Sequence, residues 1–349
     1  MKTEVIPRRK RDSNMELLRV ISMMLVMVLH ADYASIGSPE PNDFHAAFFS
    51  SGLRVFIQQL AVVCVNIFVL ISGWFSIKPS ARGAGRLLFQ VLFLEVLTLL
   101  VALIKKEPVT GEHLVKLFVI GSSYWFVPAY LLLYCIAPAL NSFVDSSSPK
   151  EIRLFLISFF FIEFTYGFLF ADMIRFGYGY SAISFIGLYV LGRYVRLYPP
   201  KVCQLSLSYD FLIILGLTVL STFFATVFIQ LGNNKLAPQA TFINPLVIIA
   251  SVYWLIAFSK MKFQSKVINW MGKSCFAIYL IHCHPLVFPV YTEKCALFYM
   301  QDSFFIYSAH IIALILLLGL SCILIDQVRV LIWSFIDPFF QNKNEVKIQ

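Results

Sequence analysis

Long apolar runs, separated by short polar loops, occupy almost the whole chain. Each run is about twenty residues long, which is the length that an α-helix needs to cross the hydrocarbon of a bilayer. Such runs are expected to be helical, because lipid offers their backbone groups no hydrogen-bond partners. The pattern predicts an all-α polytopic integral membrane protein with about ten transmembrane helices, at approximately residues 15–35, 54–76, 86–104, 121–141, 152–170, 181–198, 209–231, 241–259, 267–290 and 304–333.

Two of these predicted spans are less regular than the others. Lys273 and several polar residues interrupt the ninth span, and the tenth is long enough to tilt or to end in an interfacial segment. Since no polar stretch is long enough for a separate soluble domain, we expect a single transmembrane domain over residues 1–349. A basic cytoplasmic tail at residues 1–14 and a polar C-terminal tail at residues 338–349 would flank its helices.

The composition and the charge distribution agree with this architecture. Of the 349 residues, 59% are hydrophobic and only 13% are charged, whereas soluble domains carry about 25% charge. The net charge of +9 does not indicate a nucleic-acid partner, because the basic residues lie in short loops between apolar runs. If the spans alternate in direction, roughly three-quarters of these basic residues lie on the side of the N-terminus, which predicts that both termini are cytoplasmic.

The cysteines give no sign of a disulfide or a metal site. All seven are spread along the chain, mostly inside apolar runs, and none forms a CxxC pair. Small apolar packing is the ordinary role of such residues. The sequence carries no signal of oligomeric state.

The first predicted span carries two side chains that suggest chemistry. Arg19 and His30 are eleven residues apart, so on a helix they share one face at a separation of roughly 16 Å along the axis. Ionisable residues within a membrane are costly and are therefore candidate site residues. On geometry alone, Arg19 can equally be a cytoplasmic anchor and His30 a packing residue at the outer interface.

The ninth predicted span repeats this pattern with Tyr279 and His282. It runs in the same direction as the first span, so His282 is expected at a depth close to that of His30, in a shared cavity, although it can also simply mark the outer interface. A metal site is not expected, because residues 282–284 are consecutive and their side chains diverge on a helix.

Two further segments contain polar or aromatic residues at membrane depth. Ser72 and Gly73 lie together in the second span, where small residues usually mark a close approach of two helices. Trp125 begins the apolar part of the fourth span, a position typical of an interfacial aromatic belt. Glu95 and Glu163 lie within the third and fifth spans, with no partner that the sequence identifies.

Together these motifs resemble the membrane-bound acyltransferase-3 family, bacterial enzymes that acylate sugars and other exported acceptors. The resemblance covers nearly the whole chain and depends on the order and spacing of the motifs, since each one alone is weak. Gln90 departs from the family, in which relatives often have proline. The matching motifs are Leu18-Arg19 with His30, Phe68 with Ser72-Gly73, Arg82 with Arg86, Trp125-Phe126 with Pro138, Gly272 and Ser274 with one intervening residue fewer, Ile278 to His282 with Pro285, and Asp326 with Arg329.

The resemblance implies transfer of an acyl group, acetyl by default, from cytoplasmic acyl-CoA to a hydroxyl of a surface or exported glycan. It implies that His30 acts as general base or as transient acyl carrier, with acyl-CoA as a co-substrate rather than a bound cofactor. It also implies a location in the bacterial cytoplasmic (inner) membrane. The residues expected to bind the donor or to support the site are Arg19, Arg82, Arg86, Ser72, Trp125, Tyr279 and His282.

Two other classes of polytopic protein compete with this interpretation. A transporter or flippase of lipid-linked glycan would also line a path with polar residues, but it usually shows an internal repeat, and none is visible. A glycan polymerase would need a large basic external loop, whereas the predicted outer loops are short and poor in basic residues.

Overall fold

The computed structural model describes residues 11–118, 123–170, 172–173, 175–232 and 240–340. Within these ranges the chain is helical and contains no β-strand. The helices are α1 (Ser13–Leu29), α2 (Pro41–Ala46), α3 (Phe48–Ala61), α4 (Cys64–Phe75), α5 (Ala81–Ile104), α6 (Gly111–Phe118), α7 (Phe126–Ser146), α8 (Pro149–Ile162), α9 (Ala182–Leu197), α10 (Leu207–Gln230), α11 (Pro245–Lys260), α12 (Lys266–Ser274), α13 (Phe276–His282), α14 (Phe288–Gln301) and α15 (Phe304–Ile336).

In the described part of the chain, seven helical segments are long and apolar enough to cross a membrane, so the protein is a multi-pass membrane protein. Several of them combine two helices or extend a helix through a short π- or 3₁₀-helical turn. They are Ser13–Ala34, Phe48–Phe75, Ala81–Ile104, Phe126–Ser146, Pro149–Leu169, Leu207–Gln230 and Phe304–Phe340.

The other three predicted spans differ from a simple crossing helix. The sixth and eighth correspond to α9 and α11, which are 16 residues long each. The ninth, expected as one helix over 267–290, is divided into α12 and α13, which meet at Cys275, followed by a turn before α14. Lys273 and the polar residues that interrupt its apolar pattern lie in α12, beside this break. The total of about ten spans and the cytoplasmic placement of both termini stay predictions.

Some of the predicted features lie outside the described residues. These are residues 1–10 of the basic tail, residues 341–349 of the C-terminal tail, and residues 121–122 at the start of the predicted fourth span.

The centre of the bundle is formed by α1 and α4. Helix α4 packs against α1, α9 and α11, while α1 also contacts α12 and α13. Both helices are apolar on several faces, as expected for helices surrounded by protein. Ser22 of α1 donates a hydrogen bond of 2.5 Å to the carbonyl oxygen of Cys64, at the start of α4.

The crossing of α4 and α9 depends on two glycines. A Cβ atom on Gly73 would lie 2.1 Å from the carbonyl oxygen of Tyr189, and one on Gly192 would lie 2.3 Å from that of Leu70. Backbone atoms of a packed helix cannot move aside as a flexible side chain can. The close helix approach predicted from Ser72-Gly73 is therefore present.

A buried ion pair of α15 is also bound by a side chain from another helix. Asp326 and Arg329 of α15 form a buried pair, with 2.9 Å between Arg329 Nε and Asp326 Oδ1. Gln90 of α5 donates a hydrogen bond of 3.0 Å to the same carboxylate. Gln90 thus ties α5 to Asp326 and Arg329 of α15. Ser123 provides the partner for Glu95 that the sequence could not identify, at 2.6 Å.

The Gly73 contact yields the first prediction. Gly73→Ala should force α4 and α9 apart and reduce stability by about 1–3 kcal/mol, the usual cost of overpacking. Thermal unfolding of the detergent-purified variant would measure the change. Gly216→Ala is the matched control, because a Cβ there meets open space on α10. Equal melting temperatures for the two variants would contradict the proposed role of Gly73.

Candidate active site

His30 lies where α1 changes into a π-helical turn, His30–Ala34. Asp32 in this turn is buried and receives a hydrogen bond of 2.9 Å from Nε of Arg54, which is also buried. Arg54 donates another of 2.6 Å to the carbonyl oxygen of Gly37, and Gln58 donates to Asp32. Single π-helical turns occur frequently at functional sites. Here, bonds from α3 fix the turn that carries His30.

The ring of His30 contacts the ring of His282 from α13. His30 Nδ1 lies 3.0 Å from His282 Nε2, and His282 Nδ1 lies 2.5 Å from the carbonyl oxygen of Ile278. A carbonyl oxygen only accepts hydrogen bonds, so Nδ1 of a neutral His282 carries the proton and its Nε2 is the acceptor. His30 Nδ1 must then donate to it. This chain of bonds leaves the lone pair of His30 on Nε2.

Two tyrosines anchor the backbone near the histidines. Tyr124 donates a hydrogen bond of 2.7 Å to the carbonyl oxygen of Leu280, two residues before His282. Tyr291 donates one of 2.9 Å to that of Met27, three residues before His30. These bonds hold both segments at a fixed position, which the short distance between the two rings requires.

A cavity of about 200 Å³ adjoins His30, and we call it the histidine cavity. Its wall includes Trp125 and Tyr279, both predicted as site residues, and it is otherwise mainly apolar and aromatic. His282 lies behind His30 and is fully buried. The structure thus brings His30, Trp125, Tyr279 and His282 together at one place.

A second cavity, of about 290 Å³, lies toward the N-terminal end of α1, and we call it the basic cavity. Four cationic side chains line it: Arg11, Arg19, Arg86 and Lys273. Ser72 and Tyr130 also face it, with 3.1 Å between their hydroxyl oxygens. The arrangement is suited to a polyanionic ligand, because clustered arginine and lysine side chains bind phosphate groups.

The charges in the basic cavity are only partly neutralised by protein groups. Glu16 receives hydrogen bonds from Arg11 at 2.9 Å and from Arg19 at 3.0 Å. In the described part of the chain, no carboxylate lies within ion-pair distance of Arg86. An anionic ligand would pair with Arg86 directly, whereas Asp326 and Asp337 act on it only from a distance.

Three phenylalanines separate the two cavities. Phe68, Phe126 and Phe276 line both of them, and their ring centroids are 6.0 to 6.3 Å apart. We call these three rings the phenylalanine septum. Because these rings line both cavities, they lie beside the shortest route from the basic cavity to His30.

Of the predicted site residues, Arg82 and the buried His282 line neither cavity, and of these two only Arg82 also lies away from His30. Its guanidinium pairs with the carboxylate of Asp337, with 2.6 Å between Nε and Oδ1. Arg86, one helical turn later, faces the basic cavity. Spacing alone made the two arginines look equivalent, and only the packing of α5 against α15 distinguishes them.

Several residues of the site were not among the predicted ones. Lys273 was noted only as an interruption of the ninth span, yet it lines the basic cavity. Phe68 with Ser72 and Phe126 with Tyr130 share an i,i+4 spacing that places each phenylalanine beside a hydroxyl group. Cys283 lines neither cavity, but its sulfur lies 3.3 Å from His282 Nε2.

A third cavity, of about 950 Å³, is a separate feature. It is lined mainly by phenylalanine, leucine and isoleucine from α8 to α11, together with Glu163. None of the predicted site residues lines it. Its size therefore does not make it the site of the chemistry that the histidines suggest.

Comparison with known proteins identifies one family. A family model described as an acyltransferase domain matches residues 12–326, which is most of the chain. No curated protein and no solved structure matches significantly.

The ion pair behind His30 yields the second prediction. Arg54→Leu should leave Asp32 buried without its cation, at a cost of about 3–5 kcal/mol. The expected result is loss of folded protein or a markedly lower melting temperature in detergent. Arg193→Leu is the control, because its partner Asp145 is exposed. An Arg54→Leu protein as stable as this control would contradict the structural role.

Proposed function

Because the chain belongs to the acyltransferase-3 family, we propose that it moves an acyl group from acyl-CoA to a hydroxyl of a surface or exported glycan, with His30 at the point of transfer. The observation that carries this proposal is the pair of cavities, one basic and one containing histidine, on either side of the phenylalanine septum. The basic cavity lies toward the N-terminal end of α1 and the histidine cavity lies toward its C-terminal end. This order matches acyl-CoA, which has phosphates at one end and a thioester at the other.

The basic cavity would hold the nucleotide part of acyl-CoA. Arg19, Arg86 and Lys273 supply positive charge for its phosphate groups. This end of α1 is cytoplasmic if the bias in basic residues sets the orientation. The donor would then enter from the compartment in which acyl-CoA is made.

The pantetheine arm of the donor would pass the phenylalanine septum to reach the histidine cavity. It is a thin flexible chain, and its thioester would end beside His30. The histidine cavity is about 200 Å³ in volume, which favours a small acyl group. Acetyl is therefore the acyl group that we propose.

Transfer would use Nε2 of His30, the nitrogen that keeps a lone pair. As a general base, Nε2 takes the proton of the acceptor hydroxyl while the oxygen of that hydroxyl attacks the thioester carbon. The carbon–sulfur bond breaks, and the imidazolium returns the proton to the departing thiolate. As an acyl carrier, Nε2 attacks the thioester carbon itself and coenzyme A leaves as a thiolate. The acceptor hydroxyl then attacks the acyl-imidazolium, the bond from Nε2 to the acyl carbon breaks, and the hydroxyl proton passes to the thiolate.

His282 would act as a positioning residue in both routes. Its Nε2 accepts the Nδ1 proton of His30, which orients the ring and keeps the reactive lone pair on the opposite nitrogen. The same bond stabilises the positive charge that His30 acquires during transfer. His282 needs no contact with the acyl group for this role.

The family membership and the two cavities favour acyl transfer over a transporter or a glycan polymerase. A transport path needs no cluster of cations beside an aromatic constriction and a buried histidine pair. The glycan acceptor and the bacterial cytoplasmic membrane are proposed from the family resemblance alone.

The third prediction tests the two histidines. In isolated membranes given radiolabelled acetyl-CoA and the acceptor glycan, His30→Ala should lower the rate of transfer by about 100- to 10,000-fold, the usual contribution of an acid–base group. His282→Leu should lower kcat without changing the KM for acetyl-CoA. His282→Gln should recover part of the loss, since its amide oxygen can accept from His30 Nδ1.

Protein levels in the membrane serve as the control for these variants. Full activity of His30→Ala would overturn the role of His30. Equal activity of His282→Leu and His282→Gln would overturn the positioning role of His282 while leaving that of His30 intact.

The fourth prediction separates the two arginines of α5. Arg86→Gln should raise the KM for acetyl-CoA by about 10- to 100-fold, since a hydrogen bond between charged groups contributes about 1.5–3 kcal/mol. Arg82→Gln is the matched control and should leave this KM within about twofold. Steady-state kinetics on purified protein would measure both. The reverse order of effects would place the donor phosphates outside the basic cavity.

A further inference from the structure

The sulfur of Cys283 joins the two histidines in a compact cluster. Cys283 Sγ lies 3.7 Å from His30 Nδ1 and 3.3 Å from His282 Nε2, and these two nitrogens are 3.0 Å apart. All three atoms are therefore within 4.8 Å of one another. The proposed transfer reaction gives Cys283 no role, so its position next to both rings calls for a separate explanation.

We propose that His30 Nδ1, His282 Nε2 and Cys283 Sγ form a binding site for a soft divalent cation, Zn²⁺ in particular, and that the bound ion inhibits acyl transfer. The binding half of this proposal is independent of the proposed function. The inhibition half rests on the proposed role of His30.

The distances fit a tetrahedral ion. With Zn–N bonds of about 2.0 Å and Zn–S bonds of about 2.3 Å, two nitrogen ligands are about 3.3 Å apart, and nitrogen and sulfur ligands are about 3.6 Å apart. The three separations in the protein differ from these values by only a few tenths of an ångström. Small rotations of the side chains would place all three atoms around one ion, with its fourth position left for water.

The ligand chemistry favours zinc over harder ions. Two imidazoles and a thiolate suit Zn²⁺, whereas Mg²⁺ and Ca²⁺ prefer oxygen ligands. Histidines that bind a metal usually donate their other ring N–H to a carbonyl or carboxylate. His282 already does so, because its Nδ1 contacts the carbonyl oxygen of Ile278.

The prediction against a metal site assumes that residues 282–284 continue one helix, on which neighbouring side chains diverge. Helix α13 instead ends at His282, and Cys283 Sγ lies 3.3 Å from His282 Nε2. His284 stays out of the cluster, since its Nδ1 accepts a hydrogen bond of 3.2 Å from the backbone N–H of Leu286. The third ligand, His30, comes instead from the π-helical turn that follows α1. His30 is far from His282 in sequence, so no local spacing motif could indicate the site.

Metal binding would inhibit transfer by changing the tautomer of His30. Without metal, Nδ1 carries the proton and Nε2 holds the reactive lone pair. Coordination through Nδ1 moves that proton to Nε2, which can then neither take a proton from a hydroxyl nor attack a thioester. Cys283 binds as a thiolate, so each bound ion releases one proton to the solvent.

The fifth prediction tests the site first by metal binding alone. Full-length protein purified in detergent with a reductant would be titrated with Co²⁺, whose bond to a thiolate gives a charge-transfer absorption band. Wild type should bind one Co²⁺ per chain and show this band. Added Zn²⁺ should displace the Co²⁺, and the band should disappear. Cys283→Ser should lose the band and bind at least tenfold more weakly. Cys203→Ser, changed outside the cluster, should match wild type.

Two spectroscopic outcomes would overturn the metal site. One is wild-type protein with no thiolate band, and the other is a band that persists in Cys283→Ser. Neither outcome depends on acyl transfer, so a failure here is distinct from a failure of the proposed function.

The inhibition is tested with the transfer assay under the same conditions. Micromolar Zn²⁺ should inhibit wild type, and a chelator should restore activity. With inhibition expressed as a fraction of each protein's own activity without added metal, Cys283→Ser should need at least tenfold more Zn²⁺ than wild type for the same inhibition. Equal sensitivity of the two proteins, or metal binding without inhibition, would overturn the inhibitory role. If wild type transfers no acyl group, the proposed function fails and the Co²⁺ spectra alone decide the metal site.

Discussion

Polar side chains inside a bundle of apolar helices must be paired with other groups of the protein, because an unpaired one costs several kcal/mol. This constraint explains how the helices are held in register. Asp32 of the π-helical turn pairs with Arg54 of α3, Gln90 of α5 reaches Asp326 of α15, and Lys260 of α11 pairs with Asp210 of α10 at 2.5 Å. Each pair can form in only one arrangement of its two helices.

The same constraint determines the state of the two histidines. His282 is fully buried, so both of its ring nitrogens need partners, and they find them in Ile278 and His30. Of the four ring nitrogens of the two histidines, Nε2 of His30 is the one whose lone pair these hydrogen bonds do not use. A requirement of folding thus also produces the chemical group that the proposed reaction needs.

The central helix α1 connects the two halves of the site. Arg19 faces the basic cavity and His30 faces the histidine cavity, so one rigid helix sets the distance between the donor's charged end and the point of transfer. This relation could be predicted from the sequence, because the periodicity of a helix is enough to place two of its own residues. The close approach at Gly73 was likewise predictable, since small residues in apolar helices have few other uses.

Relations between different helices could not be predicted in this way. Arg82 and Arg86 looked alike in the sequence, but the packing of α5 against α15 turns Arg82 toward Asp337 and leaves Arg86 at the basic cavity. The break between α12 and α13 was visible only as an irregular pattern. The approach of Cys283 to His30 depends on tertiary packing alone, and no spacing rule describes it.

The most direct test of the central claim compares surface glycans from a deletion strain that carries either the wild-type gene or His30→Ala. NMR before and after mild alkaline treatment would measure ester-linked acyl groups, with equal membrane levels of both proteins confirmed. The account predicts that alkali-labile acyl signals return only with wild type. Identical acylation in both strains, together with altered glycan export or chain length on deletion, would contradict it and favour a transporter or a polymerase.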